Sequence, residues 1–289
     1  MSTNAAAVLD CGAGCFLSLD RPRIMGILNV NPDSFTDGGD FFSTAAALER
    51  ASAMVSEGAD IIDVGGESSR PGAEPVSIAD ELARVIPVIE GIRRTFPGVI
   101  ISIDTCKPEV MRAAVAAGAQ IVNDITALRA EGALETVAEL GCAVCLMHMQ
   151  GEPRTMQHAP HYDEVVAEVL AFLEARVDAC VKVGIPRQRL LLDPGIGFGK
   201  SLEHNLTLLG RLDALHAPGL PLLLGASRKS MIGALTGRPA DERLYASIAL
   251  ATLGVWQGAA VVRVHDVRGT VDALRVCAAV NKARGTSNT

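Results

Sequence analysis

The sequence predicts a single-domain α/β protein folded as a (β/α)8 TIM barrel. Three observations carry this. A helical stretch, a glycine and a short β-branched run recur in that order; eight such runs can be counted; and each run is apolar on both faces, as a strand covered on either side must be. A doubly wound sheet usually needs fewer strands, so eight units over 289 residues favour the closed barrel.

The first run is Ile24–Leu28. Glu57-Gly58-Ala59-Asp60 leads into the second, Ile61–Val64, with Gly58 suited to the left-handed position that ends a helix. Val99–Ile103 is the third. Ala117-Gly118-Ala119 precedes Gln120–Val122, Leu140-Gly141 precedes Ala143–Met147, and Val183-Gly184 with Pro186 precedes Leu190–Leu192. Leu222–Leu224 is the seventh run, and Gln257-Gly258 opens the eighth, Ala259–Val264. Helical patterns fill the intervals, and Ser77 with Asp80 reads as a capping box. Residues 1–23 are expected to cap the barrel floor, 24–284 to form the barrel and 285–289 to be a frayed tail.

Composition narrows the function. Twenty-six basic residues against 33 acidic ones give a net charge of -7, so no global positive field draws the chain to nucleic acid or an anionic membrane. Aromatics at 3% argue against a base-stacking platform. The longest apolar runs, such as Leu220–Leu224, fall short of the roughly 18 residues of a membrane span. Seven cysteines form no regular framework and Met1–Ala7 lacks a secretory pattern, so a reducing cytoplasm is the expected compartment. Cys142-x-x-Cys145 has redox or zinc spacing, but its apolar surroundings favour buried thiols, and Cys11 and Cys15 read the same way.

Polar residues collect at the C-terminal tips of the predicted strands: Asn29, Asp63, Asp104, Asn123, His148, Asp193, Ser227, and Arg263 with His265. Barrel enzymes do their chemistry at that mouth. The alternative for any one tip is a helix cap, as for Asp104 or Thr105 ahead of Pro108. Ser227-Arg228-Lys229-Ser230 and Arg263-x-His265 place cations at the mouth, where a phosphate group is expected; surface ion pairing by Arg228 and Arg263 is the alternative. Asp104, Asn123 and Asp193 form an opposite side able to accept from a flat, N–H-rich edge.

The segments 31–39 and 65–72 are rich in glycine, proline and serine and read as lids over the mouth or as ordinary connections. Gly195–Ser201 ends like a phosphate-binding P-loop, but Pro194 stands where the first glycine is required. Its glycines read instead as letting backbone approach a ligand beside Asp193, with Phe198 offering a flat face. His158 and His161 lack helical ligand spacing and are expected in solvent.

Eight segments occur in order: Gly26–Phe35, Asp63–Gly72, Ser102–Thr105, Asn123–Ile125, Leu146–Gly151, Leu192–Gly195, Ser227–Ser230 and Arg263–Asp266. Together they resemble bacterial dihydropteroate synthases, pterin-binding TIM barrels, from about Ile24 to Lys282. The resemblance implies a transferase of folate biosynthesis. Such an enzyme joins 6-hydroxymethyl-7,8-dihydropterin diphosphate to 4-aminobenzoate, releases diphosphate, and has sulfonamides as competitive inhibitors.

Carried over by position, the resemblance implies catalytic roles for Asp104, Lys229, Asn29 and Arg263. It implies a pterin pocket of Asp104, Asn123, Ile125, Met147, Asp193, Phe198, Gly225 and Lys229, and a diphosphate site of Asn29, Arg263 and His265, with Asn29 also a ligand of Mg2+. Ser69, Arg70, Pro71, Phe198, Lys229 and Ser230 match aminobenzoate positions, and Asp33 and Phe35 a mobile loop. Ser69 and Ile196 stand where threonine and an aromatic are more usual, which bears on sulfonamide affinity.

The implied chemistry is a dissociative substitution, with Asp104 stabilising a pterin methylene cation while Arg263, His265 and Mg2+ neutralise the leaving group. The related synthases are generally homodimers, and the last helices are the expected interface. Two rivals share the barrel: a non-catalytic pterin-binding protein and a corrinoid-linked methyltransferase. The latter would not need the anion site at Ser227–Ser230 and Arg263–His265.

Overall fold

In the computed structural model, which describes residues 8–30, 39–68, 72–152 and 155–286, a hairpin precedes the repeating units. Its strands β1 (Val8–Asp10) and β2 (Phe16–Ser18) pair antiparallel, with Leu9 opposite Leu17. Gly12 in the turn has φ +81°, and a side chain there would strike the carbonyl of Gly141, so the turn lies flush against a later helix end.

The barrel strands are β3 (Arg23–Asn29), β4 (Ile61–Gly65), β5 (Ile100–Asp104), β6 (Ile121–Asp124), β7 (Ala143–Met147), β8 (Leu190–Asp193), β9 (Leu223–Leu224) and β10 (Val261–Val264). All are parallel, in the order β8-β7-β6-β5-β4-β3-β10-β9, and a Leu192–Leu222 bridge joins the ends into a ring. The eight runs read from the sequence are these strands. β9 is short because Pro221 has no N–H for the ladder, although its carbonyl still accepts from Leu192 N at 3.0 Å.

The helices are α1 (Gly39–Glu57), α2 (Ile78–Thr95), α3 (Pro108–Ala117), α4 (Ala133–Leu140), α5 (Val165–Lys182), α6 (Leu202–Gly210), α7 (Ser230–Thr236), α8 (Leu244–Trp256) and α9 (Val267–Thr286). Gly118 and Gly141 end α3 and α4 in the left-handed conformation. Ser77 caps α2 by accepting from Asp80 N at 3.1 Å. Asp80 takes the Ser77 hydroxyl at 2.6 Å rather than the backbone N–H of a full box. The reciprocal box occurs instead at α6, where Ser201 and His204 exchange two bonds of 3.2 Å.

Strand alternation sorts the core into two layers. Outward residues such as Ile62, Ile101, Val122 and Leu192 pack beneath the helices. Inward residues at the strand starts, among them Met25, Ile61, Ile121 and Leu223, form a second cluster with Leu9, Cys11 and Leu17 of the hairpin. The lumen is therefore plugged with apolar side chains at its lower end, each fully buried one contributing about 1.5–3 kcal/mol. All seven cysteines are free, and burial raises the thiols of Cys142 and Cys145 above the ordinary range.

Candidate active site

Above the apolar plug the inward positions turn polar. Asp63 and Ser102 are ladder partners one rung up, and Asn29, Gly65, Asp104 and Asn123 stand side by side at the ends of β3 to β6. Asp193 ends β8, and Arg263 projects inward from β10.

Arg263 organises this rim. Its Nε donates to Asp63 Oδ2 and its Nη2 to Asp104 Oδ2, each at 2.6 Å, while Nη1 donates to none of the described residues. Burial works against the guanidinium's charge, but Asp63 and Asp104 outweigh it and hold its pKa above the ordinary value. Burial raises Asp104 to about 7, with Arg263 opposing and Asp63 adding to the rise. The expectation of a cationic wall facing a separate accepting wall is thereby corrected: the residues do share one basin, but Arg263 is bonded directly to the carboxylates. Neither Asp104 nor Arg263 is a surface pair, and Asp104 is not a helix cap; Thr105 Oγ1 instead accepts from Lys107 N at 3.3 Å.

On the other side, Asp193 Oδ1 accepts from Gly195 N at 2.7 Å, which leaves Oδ2 turned toward Gly225. A side chain on Gly225 would meet that oxygen at 3.6 Å and Arg263 Cβ at 3.9 Å, so the glycine keeps open the space between them. Asn123 donates through Nδ2 to Asp63 Oδ2 at 3.2 Å, freeing its amide oxygen to accept from a ligand. Burial raises Asp193, with the Gly195 N–H and then Lys229 opposing.

Lys229 precedes α7 and lays its stem beside Gly197, with Nζ 3.9 Å from the centre of the Phe198 ring. Burial and Arg263 bring it down to about 8, against the pull of Asp193 and Asp104. Phe198 belongs to a small apolar cluster with Met147 and Ile125, joined by Met149 and Met156. Those two methionines escaped the sequence reading; Met149, two residues beyond Met147 in an extended stretch, was the available signal. Ser230 opens α7 and is exposed.

His265 Nδ1 lies 3.0 Å from Ser227 Oγ, which also accepts the His265 N–H at 3.2 Å. Burial, then Arg228 and Arg263, lower its pKa to about 3. The shift favours a neutral ring, and in the tautomer whose Nδ1 accepts from the Ser227 hydroxyl, Nε2–H is the donor left for a ligand. Over Gly65, where a side chain would stand, Asn29 Oδ1 and Asp104 Oδ2 each lie within 3.8 Å. Asp104 Oδ2 is taken by Arg263, so Asn29 Oδ1 is the hard oxygen donor that would hold Mg2+, an ion that uses few protein ligands and would draw the rest from phosphate and water. Among the described residues no group of three His, Cys, Asp or Glu side chains gathers for a metal.

Other readings are corrected. His148 faces away from the mouth: one residue past Met147, it points into the helix layer against Phe172 at 4.9 Å and receives Lys200 Nζ on Nδ1 at 2.9 Å. Arg228 pairs with Asp266 at 2.6 Å rather than lining the basin. The glycines at 195 and 199, φ +66° and +61°, abut the carbonyls of His148 and Gln150, so they serve backbone packing rather than ligand approach. Lys200 fastens the same loop by donating to the carbonyls of Gly195 at 2.9 Å and Phe198 at 3.0 Å. Ile196 is buried in the outer core, away from the basin. His158 and His161 are exposed, as the sequence led one to expect. Ser69, Arg70, Pro71, Asp33 and Phe35 lie outside the described residues.

Comparison with known proteins agrees with this geometry. The family model of pterin binding enzymes matches residues 25–265. The dihydropteroate synthase of Escherichia coli K12 is 54% identical over 271 residues, which cover 94% of this chain and 96% of that protein. A structure of Xanthomonas albilineans dihydropteroate synthase with 4-aminobenzoic acid superposes with a TM-score of 0.90 at 52% identity, covering 96% of this chain and 99% of the other. The Yersinia pestis enzyme in a sulfonamide drug complex gives 0.90 at 48% identity, with coverages of 95% and 99%. With the family model matching all eight barrel strands and about half of all residues identical to such enzymes, the chain belongs to the pterin-binding enzymes, in the family of dihydropteroate synthases.

Proposed function

We propose that the basin carries out the dihydropteroate synthase reaction with the pterin against Asp193 and Asn123 and the diphosphate against Arg263, His265 and Asn29. The observation that carries this placement is the Arg263–Asp104 bond of 2.6 Å, because it sets an anion and a phosphate-directed cation side by side within one open space. Asp193 Oδ2 and the Asn123 amide oxygen accept from the N–H edge of the pterin. Lys229 donates toward its ring acceptors, and Ile125, Met147 and Phe198 cover its face. Asp104 also borders the pterin, and Gly225 gives the ring room.

The bond from the pterin methylene to the diphosphate oxygen breaks with its electron pair leaving on oxygen. The 4-aminobenzoate nitrogen then supplies the pair for the new C–N bond and loses a proton. Asp104 stabilises the positive charge that develops at the methylene, while Arg263 Nη1 and His265 Nε2–H meet the departing oxygens. Mg2+ held by Asn29 Oδ1 supplies further neutralisation of the leaving group when bound. Phe198, Lys229 and Ser230 form the aminobenzoate side, to which Ser69, Arg70 and Pro71 belong by sequence. Sulfonamides compete for that side.

The assembly is proposed to be a homodimer through α8 and α9. Apolar residues recur all round α8, and Tyr245 (83%), Leu253 (55%) and Val276 (65%) are exposed there, an arrangement that favours cover by a second copy. Among the described residues no helix is long and apolar enough to cross a membrane. Seven unpaired cysteines accord with a reducing cytoplasm. The test is incubation with both substrates, with and without Mg2+. Dihydropteroate and diphosphate should appear in equal amounts and depend on the metal.

A further inference from the structure

Asp63 lies two residues before the end of β4, one rung beneath the open basin, and is fully buried. Its Oδ2 takes two donors, Arg263 Nε at 2.6 Å and Asn123 Nδ2 at 3.2 Å. Arg263 Nη2 meanwhile reaches Asp104 Oδ2 at 2.6 Å. Two carboxylates therefore share one guanidinium, and one negative charge is left over. The two acids are not equivalent. The Asp63 side chain is 0% exposed and sealed by the barrel, whereas Asp104 stands at the rim. Attraction is least screened where water is excluded, so the buried acid is the stronger partner of the arginine.

We propose that Asp63 is the internal counter-ion of Arg263, neutralising it from below so that Asp104 faces the pterin as an uncancelled anion. This deepens the reading above and rests on its placement of pterin and diphosphate. Asp63 is a positioning residue: it acts through Arg263 and Asn123 rather than on the substrate. With Nε–H and one Nη2–H engaged and its charge offset from below, Arg263 meets diphosphate through its remaining N–H groups, chiefly those of Nη1, instead of with a full positive charge, and the leaving group is released more readily. By tying up Asn123 Nδ2, the same carboxylate turns the amide oxygen toward the pterin.

The role gives opposite signs for the two ligands, which a loosened site would not. Asp63→Asn keeps the shape and an acceptor for Arg263 Nε but removes the charge. Titration calorimetry with inorganic diphosphate and Mg2+ should show binding about tenfold tighter, because the arginine now carries its charge outward. Turnover should fall about 10- to 100-fold, because Asp104 is then drawn into neutralising the arginine. Diphosphate binding that is unchanged or weaker in Asp63→Asn overturns the proposal.

A cycle with Arg263→Gln isolates the coupling. In that background, adding Asp63→Asn should change diphosphate affinity by less than about twofold, and a tenfold effect that survives there counts against the counter-ion role. If the single variant does not fold, thermal unfolding of Arg263→Gln and of the double variant decides. Arg263→Gln leaves a buried acid without its partner, so the double variant should be at least as stable, and a less stable one refutes the idea. Arg263→Gln binding diphosphate as the wild type does would remove the ligand placement as well. An impaired Arg263→Gln with an unresponsive Asp63→Asn removes the counter-ion role alone.

Discussion

The ammonium of Lys229 is held 3.9 Å above the centre of the Phe198 ring, so a cation and an aromatic face share one side of the basin. Such a contact is worth about 0.5–2 kcal/mol. Phe198→Leu should therefore raise the KM for 4-aminobenzoate roughly three- to tenfold with little change in melting temperature. Steady-state kinetics alongside calorimetry would check this. An unchanged KM would remove Phe198 from the aminobenzoate side.

The working protonation state pairs an anionic Asp104 with a cationic Lys229. Burial pushes Asp104 up to about 7, and burial with Arg263 brings Lys229 down to about 8. Occupancy of that state rises with pH through the first value and falls through the second. The profile of kcat/KM is expected to be a narrow bell with those limbs. A flat profile from about pH 6 to 9 would contradict the assignment.

Asp104→Asn should lower kcat by about 100-fold or more while changing diphosphate affinity by less than about threefold, since the methylene charge it meets exists only in the transition state and buried Asp63 still neutralises Arg263. Single-turnover kinetics and diphosphate titration separate the two. Near-wild-type turnover would end the proposed role.

Lys200, 2% exposed, donates to the carbonyls of Gly195 and Phe198 and to His148. Lys200→Met removes the donor and strands these buried acceptors, at a cost of about 1–3 kcal/mol in urea unfolding. Because the same loop carries Phe198 and the Gly195 N–H that orients Asp193, pterin affinity should weaken as well.

The floor hairpin makes the reverse prediction. Leu9 is fully buried in the plug, and Leu9→Ala should cost about 2–4 kcal/mol of stability while leaving both KM values unchanged, because the hairpin joins the apolar cluster at the lower end of the lumen whereas Asn29, Asp104 and Asn123 stand at the strand ends. A KM shift at a temperature well below melting would show that floor and rim are coupled.

The barrel was legible in the sequence because parallel strands announce themselves twice. They are apolar on both faces, and glycines such as Gly118 and Gly141 mark where the preceding helices stop. The rim was legible as a set of residues but not as a set of bonds. Arg263 meets acids 159 and 200 positions away, and nothing in local spacing says which acid an arginine will face. His148 was misplaced by parity: one step past an inward Met147, it turns outward. The glycines at 195 and 199 announced a tight approach, but not that the approaching atoms belong to the protein's own backbone.

The apolar plug closed by the β1–β2 hairpin has a consequence for the order of events. A vessel open at one end imposes a queue. On the proposed placement, a pterin beside Asp193 and Asn123 is expected to arrive before whatever sits nearer the lip, and the joined product to back out through the same doorway. Depth in this protein is thus also sequence in time.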